Sequence, residues 1–368
     1  MKIVQLRLRD FRSYSECLFA PCDGVTALVG DNGQGKTNIL EAVYLTCTGR
    51  SHRTRQDRDL VRWGADAADV EIDAVRRDGS HNVEIILPAV GKRRLKVAGQ
   101  EVSRSGELLG HVTGVLFSPE DLRTVKDGPA ERRRFVDMAL SQLQPAYYYA
   151  MQRYNRALKQ RNELLRAAAA RPALMSTLDA WDEQLANAAV PIVRSRRWFL
   201  QELSENSSRE YAAISENPDE PFSLFYVGPL AQSDAPYEQM LAGLRRNREE
   251  DRRRMYTTFG PHRDDVSLQL FGRDLRAMGS QGQLRTAVLS MKLGEIRLIE
   301  KEMGESPTLL LDDVFSELDA KRRNALFKSA APLQTFITCT DRQDAAGARA
   351  DCFLRVTPTP EGTVLSRE

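Results

Sequence analysis

Gly30-Asp31-Asn32-Gly33-Gln34-Gly35-Lys36-Thr37 has glycines, a lysine and a threonine at the spacing G-x-x-x-x-G-K-T. It follows the apolar run Val25 to Val29 and precedes an amphipathic stretch from Asn38 to Cys47, so a strand, a glycine turn and a helix start coincide. Glycines let the backbone curl into a nest of N–H groups, and the following helix adds its positive end. Lys36 supplies a mobile cation and Thr37 a hydroxyl for magnesium. Together these residues predict a nucleoside triphosphate site with Mg2+.

A second acidic site is needed to complete that chemistry. Thr308-Leu309-Leu310-Leu311-Asp312-Asp313 reads as a buried parallel strand that delivers carboxylates at its carboxyl end. Asp312 would hold the hydrated magnesium with Thr37, and Asp313 would orient or deprotonate the water attacking the γ-phosphate. Ser280-Gln281-Gly282-Gln283 opens another apolar-periodic segment. It is either a simple N-cap or a second anion cradle at a helix start. Phe315-Ser316-Glu317-Leu318-Asp319 follows, and the four features stand in the order found in ABC-type ATPases.

The elements that must position these residues lie at both ends of the chain. Strands are predicted over Lys2 to Arg9, Val25 to Val29, Val70 to Val75, Val83 to Leu87, Arg94 to Ala98 and Val112 to Phe117, with a helix from Lys36. Strand character returns at Val266 to Phe271, Thr308 to Leu311 and Thr335 to Thr338. Between them the spacing turns helical, with Trp181, Leu185 and Ala189 preceding Pro191, turns at Asn217-Pro218 to Pro221 and Gly228-Pro229 to Pro236, and a short strand over Phe222 to Val227. The fold class is therefore α/β, with residues 1–125 and 255–368 forming one head and residues 126–254 an inserted, mainly helical arm.

Composition narrows the setting. Lys and Arg number 53 against 51 Asp and Glu, so net charge neither demands nor excludes nucleic acid and clustering has to decide. Arginines gather at positions 50–58, 132–134, 194–197 and 245–254, where acidic residues interleave with several of them. Five cysteines without a C-x-x-C pair indicate neither zinc nor a disulfide framework. No apolar stretch approaches membrane-spanning length, and the N terminus reads as a strand rather than a signal peptide; a cytoplasmic location is expected.

Further blocks identify a family resemblance. Asp10-Phe11-Arg12-Ser13-Tyr14, Gly49-Arg50-Ser51-His52-Arg53, Phe117-Ser118-Pro119-Glu120-Asp121, Gly128-Pro129 with Arg132 to Asp137, and Gly260-Pro261-His262-Arg263-Asp264-Asp265 resemble the RecF family, related to SMC proteins within the ABC ATPase class. The resemblance covers nearly the whole length and implies an ABC-type ATPase head with mixed β-sheets around the phosphate-loop helix. It also implies a head-to-tail homodimer in which ATP binds one chain's phosphate loop and the partner's Ser280 to Gln283. The implied substrate is double-stranded DNA and its junctions with single strands, with RecR as partner and RecA loading as the outcome. Arg12 reads either as a phosphate contact or as a surface strand residue. Two departures from ABC transporters predict slow, switch-like hydrolysis: Asp313 stands where they have glutamate, and Thr338-Cys339-Thr340-Asp341 replaces their switch histidine. A glutamine is also missing near Ser118 to Asp121. The competing readings are the ATPase subunit of an ABC transporter and an SMC-like bridging protein, the latter lacking room for sustained heptads in the insert.

Overall fold

The computed structural model describes residues 1–215, 217, 219–343 and 347–367; Pro218 in the expected turn and the side chain of Glu317 lie outside the described residues. The chain separates into two compact units. The first comprises Met1–Leu122, Asn206–Glu220 and Ser280–Glu368, and the second Arg123–Glu205 and Pro221–Gly279.

In the first unit, alternation of buried and exposed residues along β1 (Lys2–Phe11) produces a half-covered strand, with Ile3, Leu6 and Leu8 inward. It pairs with β2 (Tyr14–Phe19) and β4 (Ala67–Arg76), and β5 (Gly79–Pro88), β6 (Arg94–Val97) and β7 (Gln100–Val102) extend an antiparallel sheet of order β2-β1-β4-β5-β6-β7. Uninterrupted apolar runs build the other sheet. Its strands β3 (Val25–Val29), β8 (Gly114–Phe117), β12 (Thr308–Leu311) and β13 (Thr335–Cys339) are buried at every position, as parallel strands covered on both faces must be. The order is β15-β14-β3-β13-β12-β8, closed by β14 (Cys352–Thr359) and the antiparallel β15 (Gly362–Arg367). Helix α1 (Lys36–Thr48) buries Ile39, Leu40, Val43, Leu45 and Cys47 in one core cluster with residues of both sheets. A helix apolar on most of its faces is stable only when enclosed in this way. Helices α9 (Gln281–Met303), α10 (Val314–Glu317) and α11 (Ala320–Ala330) complete the unit.

The second unit contains α2 (Leu122–Lys126, which begins at the last residue of the first), α3 (Pro129–Leu143), α4 (Pro145–Ala170), much of α5 (Leu178–Ser215), α6 (Pro236–Arg246), α7 (Arg248–Arg254) and α8 (Leu275–Met278), with a small sheet of order β11-β10-β9. Its strands are β9 (Phe222–Val227), β10 (Asp265–Leu270) and β11 (Arg273–Asp274).

Two expectations are corrected, on the boundary and on the cysteines. The boundary expected at residue 255 falls instead at Ser280, because β10 pairs along its whole length with β9 and so belongs to the second unit; residues 206–220 in turn belong to the first. Helix α5 carries Pro191 internally, where Ala189, Ile192 and Val193 are fully buried and packing offsets the lost N–H. Cys22 and Cys352 form a disulfide with Cα atoms 6.3 Å apart across a sequence separation of 330 residues. No local spacing signals such a pair; it exists because β14 runs parallel to β3, with Cys352 opposite Thr26.

Candidate nucleotide site

The ends of the parallel strands set the site. The β3 strand stops at Val29, and Gly30 N–H bonds to the Cys339 carbonyl at the end of neighbouring β13. Gly33 and Gly35 then take φ of 82° and 107°, in the left-handed region. Side chains cannot follow here: a Cβ on Gly35 would lie 2.7 Å from Ser13 Oγ, and one on Gly30 2.7 Å from the Val356 carbonyl. The α1 N-cap is Gly35, which offers no side-chain acceptor; the Asn38 N–H turns back onto the Gly35 carbonyl at 3.1 Å, and the N–H groups of Lys36 and Thr37 at the helix start face the ligand position.

Around this turn lies a cavity of about 250 Å³ lined by Asn32, Gly33, Gly35, Lys36, Thr37 and Asn38 of the loop, by Asp312 and Asp313, by Thr338 to Thr340, and by Arg53. Asp31 and Gln34 serve the loop itself, since Asp31 N–H donates to Gln34 Oε1 at 2.9 Å and Gln34 Nε2 donates to Asp31 Oδ2 at 3.1 Å. Lys36 Nζ folds back onto the carbonyls of Gly30 and Asp31. Burial pulls its ammonium below the ordinary lysine range, while Cys339, Asp313, Asp31 and Asp312 oppose that shift.

Strand β12 lies between β8 and β13, and Asp312 N–H bonds to the Phe117 carbonyl at 2.8 Å, which fixes Asp312 at the carboxyl end of the sheet. Thr37 Oγ1 donates to Asp312 Oδ1 at 2.9 Å, and Thr338 Oγ1 donates to the same oxygen at 3.0 Å. Burial raises the Asp312 pKa, and those two hydroxyls hold it back. An adjacent hydroxyl and carboxylate are the hard oxygen donors that a magnesium ion completes with water and phosphate oxygens. Among the described residues no group of three or more His, Cys, Asp or Glu is placed to hold a metal ion. Asp313 adopts φ 49° and ψ 36°, a left-handed conformation that Asp tolerates, and its N–H is held by Thr338 Oγ1 at 2.9 Å. The turn presents its carboxylate to the cavity.

Ser280 to Gln283 form a reciprocal capping box at the start of α9: Gln283 N–H donates to Ser280 Oγ at 3.2 Å and Ser280 N–H to Gln283 Oε1 at 2.9 Å. The N-cap reading is thus realised. None of residues 280–283 lines the phosphate-loop cavity; Ser280, Gly282 and Gln283 border a separate hollow with Tyr211, Lys321 and Arg322. Arg322 Nη2 donates to the Gly282 carbonyl at 2.7 Å and fixes that turn to α11.

The model of the RecF/RecN/SMC N-terminal domain matches residues 2–364. The DNA replication and repair protein RecF of Ruminiclostridium cellulolyticum is 40% identical over 348 residues, covering 93% of this chain and 94% of its own. That of Halothermothrix orenii is 43% identical over 352 residues, covering 93% and 92%. The chain belongs to the RecF family. A solved structure described as the recombination mediator protein RecF with ATP in the RecFOR pathway superposes with a TM-score of 0.92 at 31% identity, over 100% of this chain and 97% of that one. An Smc head bound to the C-terminal winged-helix domain of ScpA matches at a TM-score of 0.60 and 17% identity, over 100% and 98% of the two chains, which shares the fold alone. The α/β class with an ATPase-type head is therefore that of RecF and SMC heads.

Two site residues of this RecF-family chain were named in the sequence without the contacts they make. Thr338 holds both acids in place, yet a threonine at a strand end carries no signal of its own. Arg53 lines the cavity and donates to Asn38 Oδ1 at 3.1 Å; its block was noticed but given no role. Conversely, Arg12 is not among the lining residues. Its guanidinium forks onto Glu41 at 2.9 and 2.8 Å and onto the Asp59 carbonyl at 2.7 Å, which leaves it structural. Burial disfavours the Glu41 charge, but hydrogen bonds from Arg12 and Ser51, helped by the charges of Arg12 and Arg53, hold its carboxyl below the usual range.

Proposed function

We propose that this chain is an ATP-switched DNA repair protein that binds ATP and Mg2+ in the described cavity and hydrolyses ATP slowly. The observation that carries the reading is the contact between Thr37 and Asp312, residues 275 positions apart, beside the glycine nest and Lys36. The Lys36 ammonium and the N–H groups of Asn32, Gly33, Gly35, Lys36 and Thr37 would neutralise the phosphates, Thr37 and Asp312 would hold the ion, and Asp313 would place the attacking water. When bound by Thr37 and Asp312, the ion would supply neutralisation of phosphate charge. A carboxylate one methylene shorter than glutamate sets the water further back, consistent with a timer rather than a pump.

Ser280, Gln281, Gly282 and Gln283 stand apart from their own chain's cavity, which supports the head-to-tail homodimer in which each signature turn closes over a partner's γ-phosphate. ATP then favours closure and hydrolysis releases it. Driving a dimer from mostly open to mostly closed takes about 5.5 kcal/mol of differential binding, within reach of two charge-assisted γ-phosphate contacts. The names of the relatives, DNA replication and repair proteins, support DNA as the substrate; double-stranded DNA with its single/double-strand junctions, recruitment of RecR and RecA loading follow from the family resemblance. A cytoplasmic setting accords with that role. Among the described residues no helix is long and apolar enough to cross a membrane.

Sedimentation with ATP and a non-hydrolysable analogue, with and without duplex DNA, tests the proposal. Wild type should dimerise with the analogue, Ser280→Arg should bind nucleotide but stay monomeric, and Asp313→Asn should hold an ATP dimer. A wild-type chain that remains monomeric when saturated with analogue and DNA overturns the reading.

A further inference from the structure

The strand pair β4–β5 ends in two neighbouring loops. Ala67 lies opposite Pro88 in the ladder, and Ala89 N–H bonds to the Asp66 carbonyl at 2.8 Å, so residues 61–66 and 88–93 share one edge of the antiparallel sheet. Gly64 and Gly91, with φ of 86° and 115°, turn the loop tips. At those tips stand the two most solvent-exposed large apolar side chains among the described residues, Trp63 at 97% and Val90 at 92%. An indole left wholly in water is costly unless something covers it in use.

Charge says what that would be. Residues 50–66 hold five arginines against three aspartates, and Lys92, Arg93 and Arg94 add three more cations beside them. Arg62 is tied to Asp10 and Arg93 to Asp57, which fixes the loops, whereas Arg50, Arg55, Lys92 and Arg94 are exposed and form no ion pair among the described residues. An exposed aromatic ring on a loop end that also carries cations without ion pairs is the kind of surface that binds single-stranded nucleic acid, the cations on phosphates and the ring on a base. Duplex bases are already stacked, and only an unpaired one can take the indole face.

Building on the DNA-repair reading, we propose that Trp63 stacks on an unpaired base where a single strand leaves the duplex, with Arg55, Lys92 and Arg94 on the flanking phosphates. This edge then selects gapped over intact DNA, and duplex contact elsewhere is sequence-blind.

Fluorescence-anisotropy binding to a blunt duplex and to the same duplex carrying a single-stranded gap, in a non-hydrolysable ATP analogue, tests the assignment. Trp63→Ala should lower affinity for gapped DNA by about tenfold and leave blunt-duplex affinity unchanged, while Trp63→Phe keeps most of the preference. Gapped DNA should also shield a tryptophan from acrylamide in wild type and not in Trp63→Phe. Trp63→Ala that binds both DNAs as wild type does, as a contact for a protein partner would predict, overturns the inference, as does an equal loss on both. A wild-type chain that binds neither DNA overturns the DNA-repair reading itself.

Discussion

Arginines in the second unit and polar groups at the nucleotide cavity are handled in opposite ways. Arg161 is fully buried, and donates to Asp182 and Asp251, both also fully buried, at 2.7 Å each. Arg196 is matched by Asp137 and the Pro261 carbonyl, and Arg132 forks onto Asp265. Arg248 pairs with Asp179 and Asp182, and Arg252 to Arg254 pair with Glu249 and Glu250. Many arginines of the clusters at 132–134, 194–197 and 245–254 are thus paired with the unit's own acids. The cavity of the first unit instead leaves first-turn N–H groups without a side-chain cap and sets Asp312 and Asp313 on its wall. A structural charge is self-satisfied; a functional one waits for a ligand.

The largest expected effect breaks that contrast at the cavity. Lys36→Met should abolish ATP binding, measured by isothermal titration, with the unfolding midpoint nearly unchanged. Arg161→Met should do the reverse, costing about 3–5 kcal/mol in urea unfolding because two buried aspartates lose their partner, while the first unit's nucleotide-lining residues are untouched. Retained stability in Arg161→Met would remove the contrast.

Acid should act on the second unit through His262, whose Nε2 donates to the Thr257 carbonyl at 3.0 Å and whose Nδ1 accepts from Tyr154 at 2.6 Å. Burial lowers its pKa to about 4. The unfolded chain therefore takes the proton first as pH falls, and stability present above the unfolded value near 6.5 is lost down to about pH 4, by about 3 kcal/mol at most. His262→Gln should flatten that segment of the stability-against-pH curve.

Smaller effects sharpen the comparison. Arg12→Ala should cost about 1–3 kcal/mol of stability through the unmatched Glu41, with little change in nucleotide affinity, whereas Arg53→Ala should weaken ATP binding more than it weakens the fold. Arg252→Gln, at an exposed pair, should change stability by under about 0.5 kcal/mol, and any drop of about 1 in the salt slope of DNA binding would show that this arginine meets phosphate.

Local chemistry made much of this readable. Glycine spacing, the uninterrupted apolar strands and the double acid each follow from short-range rules, so β3, α1, β12 and the capping box at Ser280 could be placed from residues alone. Strands β14 and β15 were missed, because their pattern is weak and the sheet partner of β14, β3, lies over 300 residues away in sequence, while β15 pairs with β14. The arginine blocks failed for another reason: spacing shows that cations cluster, but only packing shows which acid each one faces.

What the sequence determined by itself was the type of site, since a nest that cradles phosphate needs glycine, lysine and threonine at fixed intervals along one turn. Tertiary structure decided which groups are free to use it. It joined Thr37 to Asp312, tied Arg12 to Glu41 and put Arg53 on the cavity wall, because parallel strands bring together side chains that no sequence interval relates.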